Sequence, residues 1–377
     1  MTSSLIELRH ALHALPELAH HEHQTAAKVV DFLTPLRPDH LVTGVGGTGV
    51  LATFDSGVPG PVLLFRSELD ALPIEELDVH GHASRHPGVS HKCGHDGHMA
   101  IVCGLAQRLA EHRPERGAVH LLFQPAEETG TGAAAVLADP AFEAIRPDFA
   151  VAIHNMPGFP LRSLVIKPGS ITAAVRSLVV RFGGRTAHAS EPEKGENPAL
   201  AIAGLLQGCE RLSLNDITSP EFRLITPVHV RLGSVAYGVS AGDGEVHLTI
   251  RTVANSDLAA LEQSVVDLAN ELGERDRLDV SVEIVEEFYA NMNDPEVTDR
   301  VLLAAEACGY DVVTPDIGLR TGEDFGLFSE RFPCCMVLLG AGEEHHPIHN
   351  ASYDFPDELI DTGVGLFDEI VRRAGRT

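Results

Sequence analysis

Four short apolar runs do most to limit what this chain can fold into: GPVLLFRS (60–67), AVHLLFQP (118–125), DFAVAIHN (148–155) and PCCMVLLG (333–340). Runs of this kind read as strands buried on both faces of a parallel sheet. Helical patterns lie between or beside them, as in GHMAIVCGLAQRLAEH (97–112), where Asp96 is positioned to act as the N-cap. Both ends of the chain are therefore expected to be α/β.

The middle of the chain has a different pattern. RSLVVRFGG (176–184) alternates like a half-buried strand, and NPALAIAGLLQGCERL (197–212) follows as a helix. VHVRLGSV (228–235) and EVHLTIRTV (245–253) read as strands, SDLAALEQSVVDLANELG (256–273) as an amphipathic helix, and LDVSVEIVEEF (278–288) as a last strand. The order β-α-β-β-α-β is the ferredoxin-like one. The expected organisation is an α/β domain of residues 1–174 and 289–377, interrupted by a ferredoxin-like domain of residues 175–288. Two domains also suit a length of 377 residues.

Composition removes several classes of function. A net charge of -26, with Arg supplying most of the scarce positive charge, argues against nucleic acid or anionic membrane as a partner. No window holds the run of about 18 apolar residues that a membrane span needs. The start, MTSSLIELRHALHALPEL, reads as an amphipathic helix and not as a signal peptide, so a cytoplasmic location is expected. The six cysteines at 93, 103, 209, 308, 334 and 335 contain no C-x-x-C. Cys334 and Cys335 are most simply core residues, and reduced thiols suit a reducing compartment.

Chemistry enters where the outer strands end. GPVLLFRS runs into Glu68 and Asp70, and AVHLLFQP into Glu127 and Glu128. DFAVAIHN carries His154, and PCCMVLLG leads to His345, His346 and His349. Ligands and catalysis gather at the carboxyl ends of parallel strands, so four strands ending this way point to one shared site. HKCGHDGH (91–98) adds Cys93, His95 and other donors from a loop before a helix. A thiolate, imidazoles and carboxylates form a set suited to Zn²⁺, or to Mn²⁺ or Co²⁺ where carboxylates dominate. The donors exceed what one tetrahedral ion uses, and two ions about 3.5–4 Å apart would account for the surplus. The pair Glu127–Glu128 can divide labour, one acid holding metal and the other acting as general base on water. Other readings of the same residues stay open. Cys93 could be a nucleophile or hold a single structural zinc, Asp70 could cap a turn, and His188 and Arg251 could be ordinary surface residues.

Together the motifs LRHALHALPELAHHEHQTA, RSELDALP, HKCGHDGH, FQPAEETGTGA, AIHNMP, GGRTAHASEP, LTIRT, GEDFG and HHPIHN resemble the metallopeptidase family of aminoacylases, hippurate hydrolases, carboxypeptidase G and auxin-conjugate hydrolases, in its amidohydrolase branch. The resemblance implies a zinc-peptidase-like α/β catalytic domain with a ferredoxin-like lid that commonly dimerises. It implies two divalent ions held by Cys93, His95, Glu128, His154 and His349, with Glu127 as general base and Asp70 orienting a ligand. It further implies that His188 stabilises the oxyanion and Arg251 binds the substrate carboxylate. The implied reaction is hydrolysis of the amide of an N-acyl amino acid or similar small acyl amide; a dipeptidase or aminopeptidase, or a non-catalytic metal-binding protein, would be the alternatives. Three positions depart from the family pattern: Glu68 where many relatives have Asp, Gly238 where many have a substrate-contacting Asn, and Lys92, which could lower the Cys93 pKa.

Overall fold

The four apolar runs become the centre of an eight-stranded sheet in the computed structural model, which describes residues 2–77, 80–316 and 318–376. Val62–Glu68 pairs in parallel with Ala118–Gln124 on one side and with Phe149–Met156 on the other. Cys334–Gly340 then adds in parallel to Phe149–Met156. Every residue of Cys334–Gly340 is buried, and Val62–Glu68 has a single half-buried one. That two-sided burial is why these strands show no alternation. One edge is a hairpin, His40–Val45 and Gly49–Asp55, antiparallel to Ala118–Gln124; the other edge is Leu164–Val165 and Val312–Val313. Helices Thr2–His13, His95–Glu111 and Glu358–Ala374 share one core through Leu5, Leu12, Ile101, Leu105, Val364 and Phe367.

The chain divides into two compact units. The first is Met1–Ile171, Asn291–Pro315 and Asp324–Thr377, and the second is Thr172–Ala290 with Asp316–Glu323. The return of 316–323 to the second unit has no mark in the sequence pattern. There, Thr172 bridges Leu319 and the Ala173 N–H donates to the Thr321 carbonyl at 3.0 Å.

Within the second unit, four antiparallel strands lie in the order Arg223–Leu232, Asp243–Thr252, Ala174–Gly183, Asp279–Phe288. With helices Ala199–Leu212 and Asn255–Asp276 between them in sequence, this is the ferredoxin-like topology. Alternate residues of Asp243–Thr252, namely Val246, Leu248 and Ile250, enter a core with Leu178, Val180 and Val265. Among the described residues no helix is long and apolar enough to cross a membrane.

Asp96 is not an N-cap. The helix begins at His95, and its N-cap is Gly94, at a φ of +97° that an L side chain rarely adopts. Asp96 sits in the first turn, fully buried, where it accepts from His13 Nδ1 at 2.9 Å and pairs with Arg9.

Candidate metal centre

Each strand end of the first unit delivers one part of the site. After Ala118–Gln124 the chain turns through Ala126, whose φ is +51° and whose N–H is held by Glu22 Oε1 at 2.8 Å. That turn presents Glu127 and Glu128 in succession. His154 lies inside Phe149–Met156, and His349, at a φ of +64°, comes from the loop beyond Cys334–Gly340. The His349 N–H donates to the Lys92 carbonyl at 2.7 Å, which ties this loop to the Cys93 loop.

The donors converge in two overlapping groups. The donor atoms of Cys93, His95 and His154, all buried, lie within 4.8 Å of one another, and so do those of Cys93, Glu128 and His349. Cys93 belongs to both. Its Sγ is 3.3 Å from His154 Nε2, while His349 Nε2 is 3.6 Å from Glu128 Oε2. His95 Nε2 stands 3.7 Å from Glu127 Oε2 and 3.8 Å from Glu128 Oε1. The opposite ring nitrogen, Nδ1, donates to the Asp70 carbonyl at 2.8 Å, and Asp70 Oδ2 accepts the Glu128 N–H at 3.0 Å. Asp70 therefore fixes a histidine ring and a carboxylate backbone at once.

These residues fit a metal. His95 Nε2 is buried and has no hydrogen-bond partner among the described residues. A buried nitrogen so placed has to hold a proton or bind a cation, and Asp70 on Nδ1 leaves Nε2 as the atom that does so. Burial alone would lower the His95 pKa, but contact with Asp70 and the charges of Glu68 and Glu128 outweigh it and raise it to about 10. A proton thus collects where the surrounding carboxylates favour a cation. For His154, burial and then the neighbouring His98 push the pKa down to about 3, which leaves the neutral, ligating imidazole.

Beneath the donors lies a buried polar network that the sequence reading did not assemble. His98 Nδ1 meets Glu68 Oε2 at 2.7 Å, and its Nε2 lies 2.7 Å from Asn155 Oδ1. Arg66 pairs with Glu68 and, at 2.6 Å, with Asp324, which also accepts from Gln124 and the Ala133 N–H. The Asp324 N–H in turn reaches Glu127 Oε1 at 3.3 Å. The members of this network fall in the motifs RSELDALP, HKCGHDGH, FQPAEETGTGA, AIHNMP and GEDFG, none of which says that they are buried together. The Lys92 ammonium is held by Glu76 and by the Tyr353 carbonyl.

His188 and Arg251 belong to the second unit. His188 is exposed, on the two-residue strand Ala187–His188 paired with Val239–Ser240, and its Nδ1 lies 2.7 Å from Ser190 Oγ. Beside it, the Gly238 carbonyl accepts the Ala189 N–H, and a Cβ on Gly238 would meet nothing within 4 Å. Arg251, half-buried in Asp243–Thr252, donates to the Arg320 carbonyl at 2.7 Å.

Metal-assisted hydrolysis is the chemistry that a sheet edge with these donors supports. The chain belongs to the peptidase family M20/M25/M40, whose profile matches residues 64–373, and it is an amide-bond hydrolase of that family. N-acetyldiaminopimelate deacetylase of Lactobacillus helveticus is 29% identical over 96% of this chain and 95% of its own. The Listeria monocytogenes enzyme of the same name is 29% identical over 97% and 98%. Among solved structures, YXEP of Bacillus subtilis, described as a dinuclear metal-binding peptidase of the M20 family, is 26% identical with a TM-score of 0.85, covering 100% of this chain and 99% of its own.

Proposed function

We propose that the protein hydrolyses the amide bond of small N-acyl amino acids, N-acetylated diamino acids among them, at a binuclear divalent-metal centre. The observation that carries this reading is the pair of ligand groups sharing Cys93, with Glu127 beside them. The deacetylase relatives support an N-acetyl substrate. Cys93, His95, His154, Glu128 and His349 would hold the ions, of which zinc suits the donors best, with manganese or cobalt as the alternatives. When bound, the ions supply Lewis-acid activation of water and of the amide carbonyl.

The remaining work belongs to side chains. Glu127 accepts the proton of the attacking water and returns it to the departing amine. Asp70 keeps the His95 ring aimed, His188 offers its imidazole to the developing oxyanion, and Arg251 binds the substrate carboxylate. The chain would work as a homodimer through the second unit. Its edge strand Arg223–Leu232 exposes Val228, Val230 and Leu232, an apolar edge of the kind that pairs with another copy.

The test is a panel of acetyl-, benzoyl- and free-amine forms of one amino acid, run on chelator-stripped enzyme restored with Zn²⁺, Mn²⁺ or Co²⁺. Turnover of the acylated forms is expected, and activity confined to free amines would replace this reading with an aminopeptidase. Glu127→Gln should retain its metal and lose at least about a hundredfold in kcat, the scale of a lost general base.

A further inference from the structure

A second group of metal-binding side chains lies on the segment that leads into HKCGHDGH. His80 and His82 come from HGH, Glu76 precedes them, and Asp354 arrives from the loop before the last helix. The donor atoms of His80, His82 and Asp354 lie within 4.8 Å of one another, as do those of His13, Glu76 and His80. His82 Nε2 is 3.0 Å from Asp354 Oδ2, and His80 Nε2 is 3.4 Å from Glu76 Oε1. Both ring nitrogens of His80 are buried and have no hydrogen-bond partner among the described residues. An imidazole that faces Glu76 at 3.4 Å but makes no hydrogen bond at either nitrogen is costly unless something takes up its lone pair.

The geometry points to a second, separate divalent-metal site, made by His80, His82 and Asp354 with Glu76 in reach of His80, that takes zinc or a similar borderline ion. Two imidazoles with carboxylates are a zinc-type donor set. His13 is not among the ligands. Its nitrogens already face Asp96 and Glu76 at 2.9 Å each, so it stays as a protonated charge partner. Arg9 Nη2, now 2.8 Å from His82 Nε2, has to move aside, and it keeps Asp96, Asp354 and Asp357 as partners. Glu76, Asp96, Asp354 and Asp357 still outnumber Arg9, Lys92 and protonated His13, which favours one more cation. An ion here clamps the segment entering Cys93 to the loop carrying Asp354 and takes no part in activating water.

Parent protein and the His80→Gln/His82→Gln variant are stripped with chelator, dialysed against excess Zn²⁺, desalted and assayed for bound zinc by elemental analysis. The double variant is expected to hold one equivalent less than the parent and to keep the parent kcat. Equal zinc content overturns the site. Since a poorly folded variant would also lose zinc, the parent is footprinted with diethyl pyrocarbonate and read by mass spectrometry. Zinc loading should slow modification of the partly exposed His82 several-fold while leaving exposed His21 unchanged. Absence of that protection overturns the proposal whatever the variant does.

Discussion

At Gly94 a side chain fails for two reasons at once. The φ is +97°, and a Cβ would stand 2.0 Å from Asn155 Oδ1, which itself holds His98. Gly94→Ala should lower stability by about 3 kcal/mol, the range of strained or overpacked sites. It should also loosen metal, because Cys93 and His95, proposed as ligands, flank the position; calorimetry and metal titration check both effects. Gly238 is the opposite case, with open space around its Cβ position and the His188 strand alongside. Gly238→Asn should leave the melting temperature within about 2 °C, as surface changes do. It should move KM across an N-acyl substrate panel more than kcat, since the family resemblance implies a substrate contact at this position. The same contrast explains what could be read from sequence. Cys93 and His95 stand out because sulfur, imidazole and carboxylate seldom crowd together, whereas Arg66, His98 and Asp324 look like any polar residues until burial is known.

The helix Thr2–His13 was legible as amphipathic, but the charges on its inner face were not. Arg9 and His13 are buried there against Asp96, Glu76 and Asp354, partners between 63 and 345 residues away in the chain. Burial alone would lower the His13 pKa; Asp96 and Glu76 outweigh it and raise it to about 9. A folded-state value above the unfolded one means that this contribution is complete below about pH 6.5 and lost as pH rises through about 9. It amounts to roughly 3 kcal/mol at most. His13→Gln should therefore destabilise strongly at pH 6, with the gap to the parent closing by pH 9.5 in denaturant titrations. The parallel strands were legible from their apolar runs. The hairpin His40–Val45 and Gly49–Asp55 was not, since HLVTGV is mostly exposed and carries no apolar run.

At the scale of the whole molecule, the ferredoxin-like order of the second unit leaves Arg223–Leu232 at the sheet edge. Val228 is 66% exposed and Val230 42%. Val228→Lys with Val230→Lys should weaken the proposed self-association at least about tenfold in sedimentation, as charge on an edge strand opposes pairing. The circular dichroism spectrum should not change. Alternation made these strands readable in sequence and their succession implied the ferredoxin-like pairing, whereas the return of 316–323 does not follow from local pattern, because it depends on contacts distant in the chain. The bond from His349 to the Lys92 carbonyl has a consequence for synthesis. At about 5–20 residues per second, the sulfur donor leaves the ribosome tens of seconds before the last histidine does. Through that interval Cys93 has neither its closing loop nor its full set of neighbours, and it is open to oxidants and to stray ions. On the proposed ligand set, a product terminated before residue 349 would keep the group of Cys93, His95 and His154 and lack the one that His349 completes.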